Sequence, residues 1–166
     1  MIPNTWHTKH TTEEDIRLQT EVRNLIIKYL IYVQNHKYRK YLGFECHSIS
    51  MAIAQIIPEL QCVHGFQIGI NSTADVEISK VKLVPVYYYH SWLETPDEAI
   101  IDAYPIGFIS RDPALVITKG PQRPAGGGMY IKDEQTVRDR IGAKMFRKSN
   151  FLARLMQESG YVYTEK

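Results

Sequence analysis

Residues 83–103 read LVPVYYYHSWLETPDEAIIDA. Val, Tyr, Trp and Ile dominate both arms, and these residue types suit a pleated, half-buried surface. The centre, Thr95, Pro96, Asp97 and Glu98, has the composition of a tight turn. The stretch predicts a strand over 83–93, a turn over 95–98 and a short strand over 99–103. Pro85 marks a bulge or an edge within the first arm.

The segments upstream extend the same pattern. Residues 62–70 alternate and are rich in β-formers, 71–75 are turn-like, and 76–81 alternate again. Together these predict an antiparallel meander. Earlier still, the period changes. Ile49, Ala52, Ile53, Ile56 and Ile57 keep helical spacing, so a helix starts at or near Cys46 and ends by Pro58. Residues 41–45 are a short connection.

Leu18, Val22, Leu25, Ile26, Tyr29, Leu30 and Val33 predict a longer helix over 12–35. Thr11 with Glu14 fits a capping box at its start, and Glu13, Glu14 and Asp15 suit the positive end of the dipole. The basic run 36–40 suits the other end. Residues 1–10 read as a loose leader.

Downstream, residues 118–128 hold two Pro and four Gly and read as a flexible loop. Residues 129–132 read as a short strand. Helical spacing resumes over 134–159, with a break near Gly142 or Ser149, and Gly160 fits the position just past a helix end. The expected fold class is α+β. N-terminal helices pack on an antiparallel sheet, a helical segment follows at the C-terminal side, and 1–166 form one domain.

Composition bounds the function. A 166-residue chain buries roughly 70% of its unfolded surface and folds without staples. A net charge of +2 makes no case for nucleic acid or a membrane as partner. No apolar run approaches the ~18 residues that span a bilayer. The two cysteines, Cys46 and Cys62, are too few for a disulfide scaffold, so the expected compartment is reducing and cytoplasmic, with both thiols unpaired.

Three residues carry chemistry in this layout. Cys46 sits at a helix start, where unpaired N–H groups and the dipole lower a thiol pKa. The same N–H groups can bind an oxyanion. His90 would take the thiol proton and return it to a leaving amine. Asp102 would accept a hydrogen bond from the other ring nitrogen and fix its tautomer. Pairing about residues 96 and 97 puts His90 and Asp102 nearly opposite each other, where Cβ atoms lie ~5 Å apart. A one-residue slip would put them on opposite faces. Trp92, His47 and Glu94 are the expected supporting or substrate-binding residues.

Glu45-Cys46-His47-Ser48, His90-Ser91-Trp92-Leu93-Glu94 and Ile100-Ile101-Asp102-Ala103 stand in the order of a known family. At these residues the chain resembles the transglutaminase-like branch of the papain-type cysteine enzymes. Residues 90–105 also look like the leader peptidases of lasso-peptide maturation, which belong to that group. The resemblance covers about residues 43–105. It implies a papain- or transglutaminase-like core and thiol acyl chemistry on a peptide or protein: peptide hydrolysis, deamidation or acyl transfer. One departure stands out. No Gln lies just upstream of Cys46 to match the side-chain oxyanion donor of papain-type enzymes, and Gln34 belongs to the first helix.

Plainer readings compete. Cys46 alone reads as a core thiol, His90 alone as a structural His and Asp102 alone as a turn cap. Trp92 reads as packing beside the site, and Cys62 as a core residue. Cys46, His47, Cys62, His64 and His90 do not keep the spacing of a usual zinc site, so neither a metal nor a cofactor is expected. Lys37 to Tyr41 interleave basic and aromatic residues, but the low net charge favours a solvated helix end. Gly126 to Gly128 lack the Lys-Ser/Thr of a phosphate loop and read as a flexible loop, which would serve as a lid if the catalytic reading holds. A binding module that keeps the fold without turnover is the alternative to an enzyme.

Overall fold

A computed structural model describes residues 5–6, 11–37, 45–70, 85–103, 115–119 and 128–165. Among the described residues, three helices and six strands follow in the order β1 (Thr5–Trp6), α1 (Glu13–Asn35), α2 (Cys46–Ile56), β2 (Gln61–Ile70), β3 (Pro85–Glu94), β4 (Ala99–Asp102), β5 (Leu115–Lys119), β6 (Gly128–Lys132) and α3 (Glu134–Glu158). The strands form one sheet in the order β1-β5-β4-β3-β2-β6. All neighbours are antiparallel except β1, which pairs β5 in parallel.

The helix stripe read from the sequence is the core. Leu18, Val22, Leu25, Ile26, Tyr29 and Val33 of α1 are fully buried. They join Ile49, Ala52 and Ile53 of α2 and Leu93, Ala99 and Ile101 of the sheet in one cluster. Each fully buried Leu or Ile contributes roughly 1.5–3 kcal/mol relative to exposure. The helices therefore cover the sheet face that carries Leu93 and Ile101. Val63, Trp92 and Ile100 alternate to the other face and form a separate cluster with Tyr130 packed against it.

Several expectations shift. The capping box sits one residue later than read: Thr12 Oγ1 accepts from the Asp15 N–H at 3.1 Å, and the Thr12 N–H donates to Asp15 Oδ2 at 2.9 Å. The reason is tertiary. Asp15 also accepts from Thr95 Oγ1 at 2.6 Å, and Thr12 Oγ1 donates to Asp97 at 2.7 Å, so the β3–β4 turn selects these two residues. Pro85 is the first described residue of β3, where it pairs with Ile70. Residues 115–119, including two taken as loop, form β5, of which 116–119 pair with β4, and Gly128 belongs to β6. Thr5 and Trp6, read within a leader, form β1. The expected strand over 76–81 and most of the glycine-rich loop lie outside the described residues.

Gly142 breaks α3, with φ 62° and ψ 173°. Val137 and Ile141 before it pack on Met51, whereas Leu152, Leu155 and Met156 after it enter the main core. Gly160 lies just past the helix end at φ 84°, a conformation that favours glycine.

Candidate active site

α2 opens on Cys46. Glu45 at its N-cap makes no side-chain capping bond, so no cap side chain takes the N–H groups of the first turn. Cys46 is 6% exposed, and its Sγ lies 3.9 Å from the Tyr89 carbonyl oxygen on β3. The next residue on that strand is His90.

His90 and Asp102 meet, but not as direct opposites. The observed pairs are Leu93 with Ile101 and Glu94 with Ile100. This register sets His90 and Asp102 diagonally, offset by two residues. An even offset keeps both on one face. The imidazole bridges the diagonal: His90 Nε2 lies 2.7 Å from Asp102 Oδ2, and both side chains are fully buried. Tyr130 on β6 donates its hydroxyl to the same Oδ2 at 2.6 Å. His90 Nδ1 is buried with no hydrogen bond in good geometry among the described residues. The ring nonetheless lies near enough to the Cys46 thiol that each shifts the other's pKa. Catalytic hydrogen bonds are often long or poorly aligned before substrate binds.

Aromatic packing holds this arrangement. The Trp92 ring stacks near His90 at 6.3 Å between centroids, and Tyr130 meets Trp92 edge-on at 5.1 Å. Gly65, paired with His90 on β2, leaves the space: a Cβ there would lie 2.0 Å from the Ile131 carbonyl oxygen and 2.8 Å from the Trp92 ring. Trp92 Nε1 donates to Glu94 at 3.2 Å, and Glu94 pairs with Lys132 at 2.8 Å. Trp92 and Glu94 thus brace the strand.

A second group of imidazoles lies on the helix side of the sheet. Ser91 Oγ sits 2.6 Å from His47 Nδ1 and 2.5 Å from His64 Nδ1. Ser50 on α2 donates to the Ser91 carbonyl at 3.1 Å. Ser91 therefore ties both rings to the strand that carries His90.

The electrostatics follow from these contacts. Burial pushes the Cys46 thiol up, but interaction with His47 and then His90 brings it down to about 6. Burial pulls His90 down, and the Asp102 charge and hydrogen bond, aided by Cys46, raise it to about 10. At neutral pH the two form a thiolate–imidazolium pair. Burial holds the His64 ring below its ordinary value and so neutral. Burial and the Asp102 charge keep Tyr130 a protonated donor. Cys62, unpaired like Cys46, is pushed up to about 12 by burial. Cys46 is thus the far more acidic of the two thiols.

The sequence named Cys46, His47, His90, Trp92, Glu94 and Asp102, and all six lie in or beside this cluster. It did not name Tyr130, Ser91, His64 as a Ser91 partner, or Gln67, which the next residues of β2 bring to the same face. No local pattern marks them, because each arrives through strand register. Among the described residues no three His, Cys, Asp or Glu side chains are grouped to hold a metal ion, and no helix is long and apolar enough to cross a membrane. The chain matches no protein-family model, no curated protein and no solved structure.

Proposed function

We propose that this protein is a thiol-dependent amide hydrolase acting on a peptide or protein in a reducing, cytoplasmic compartment. One observation carries the reading: a buried imidazole held by Asp102 at 2.7 Å lies near enough to a thiol at a helix start that each shifts the other's pKa. Cys46 thiolate attacks the amide carbonyl, forming a C–S bond and an oxyanion that the uncapped N–H groups of α2 can receive. The C–N bond breaks as His90 gives its proton to the leaving amine. Water then attacks the thioester, His90 takes its proton, and the acid departs as the thiolate reforms. Asp102 holds the ring and its charge throughout, with Tyr130 holding Asp102. The order of helix-start Cys, His strand and Asp on the next strand is also what a papain- or transglutaminase-like core would have. Acyl transfer would share every step up to the attack by water.

The test is site-resolved alkylation. Iodoacetamide near neutral pH should modify Cys46 at least a hundredfold faster than Cys62, and His90→Ala should slow Cys46. Equal, slow labelling of both thiols would sink the proposal. The burial of Cys46 and His90 favours one second reading, a binding module without turnover. In that case Cys46→Ala leaves partner capture and biological effect intact.

A further inference from the structure

Gln67 lies on β2, fully buried, and neither its Oε1 nor its Nε2 has a hydrogen-bond partner among the described residues. A carboxamide carries two donors and an acceptor oxygen, and leaving them buried and unpaired costs stability. Native proteins keep few such groups, so each asks for a reason. Register supplies the location. Gly65 pairs with His90, and Gln67 pairs with Tyr88 two residues along, so Gln67 and His90 share a sheet face. Across its other edge Gln67 pairs with Tyr130, the residue whose hydroxyl reaches Asp102. The orphan amide therefore stands beside the His90–Asp102 pair, diagonal to the His.

We infer that Gln67 is a substrate-binding residue that recognises an amide bearing an N–H. Its Oε1 accepts from the substrate N–H, and its Nε2–H donates to the carbonyl of the same primary carboxamide or of an adjacent peptide group. The substrate class is then a peptide group or a side-chain carboxamide, in preference to an ester or a tertiary amide. A site built to hydrogen-bond such a group rejects an analogue lacking it, because its own buried polar atoms are left unpaired. This inference rests on the reading of Cys46 as nucleophile.

Small thiol reagents test it on the intact chain. Cys46 should react several-fold faster with iodoacetamide than with 2-iodo-N,N-dimethylacetamide, after correction for each reagent's rate with a free thiol. In Gln67→Leu that preference should vanish, while the rate with methyl methanethiosulfonate, which has no amide, holds. The melting temperature should stay level or rise, because the variant removes an unpaired buried amide. Gln67→Glu, nearly isosteric, should also lose the preference and covers the case in which the Leu variant misfolds. If 2-iodo-N-methylacetamide reacts like iodoacetamide, the site takes a peptide group. If only iodoacetamide is fast, it takes a side-chain carboxamide. A preference that is absent in the wild type, or unchanged in the variants together with a fall in melting temperature, overturns the inference and makes Gln67 structural. Slow labelling of Cys46 by every reagent would instead overturn the nucleophile reading.

Discussion

At the scale of single residues, the charge state of Cys46 is set by neighbours rather than by the thiol. Burial alone would raise it; two imidazoles lower it to about 6, and Asp102 keeps His90 charged up to about 10. The ion pair therefore exists between those values. Cys46 alkylation measured against pH should rise with a midpoint near 6, and turnover of an amide substrate should fall again toward pH 10 as the imidazolium loses its proton. His47 has a specific part here, since it interacts with the thiol while Ser91 holds its Nδ1 at 2.6 Å. Ser91→Ala should move the alkylation midpoint upward, and Ser91→Thr, which keeps the hydroxyl, should restore it. A loss of stability without a midpoint shift would make Ser91 packing only.

At the scale of elements, the start of α1 and the turn between β3 and β4 are one unit. Asp15 accepts from the Thr12 N–H and from Thr95 Oγ1, and Thr95 Oγ1 accepts from the Ala99 N–H at 3.0 Å. These bonds seat the hairpin whose arms carry His90 and Asp102. Asp15→Ala should cost roughly 1.5–3 kcal/mol in urea unfolding, as loss of hydrogen bonds to a buried carboxylate does. It should also slow Cys46 alkylation, because the turn that sets the diagonal loosens. Asp15→Asn, which keeps an acceptor, should retain more of both. The sequence made α1 legible through its apolar stripe but misplaced its cap by one residue, since Thr11 and Thr12 are locally equivalent and Thr95 and Asp97 make the choice.

At the scale of the whole molecule, the ion pair couples folding to pH. The folded Cys46 pKa lies below its unfolded value of 9.0, so its contribution is full above about 9 and is lost as pH falls toward 6. The folded His90 pKa lies above its unfolded value of 6.5, so its contribution is full below about 6.5 and is lost as pH rises toward 10. Between these limits the two slopes oppose each other. Cys46→Ser removes the first, together with the part of the second that Cys46 itself supplies. The stability of the wild type relative to Cys46→Ser should therefore rise with pH between 6 and 9, by up to about 1.4 kcal/mol per unit. Paired denaturant titrations at several pH values check this, and a difference that does not change with pH would mean that Cys46 is not ionised in the folded protein.

Periodicity and composition by themselves determined the two N-terminal helices, the hairpin, a break near Gly142 or Ser149 and the helix end at Gly160. These are local: one stripe, one turn or one glycine conformation is sufficient to specify each. The same reading placed Cys46 at a helix start and His90 nearly opposite Asp102 across the hairpin. The tertiary structure alone decided the offset of that pair, the parallel strand at Thr5–Trp6, and the arrival of Tyr130, Ser91, His64 and Gln67 around it. Strand order and register depend on which distant segments bury their apolar faces together. That choice is made by the summed packing of the sheet and appears in no single window of the chain.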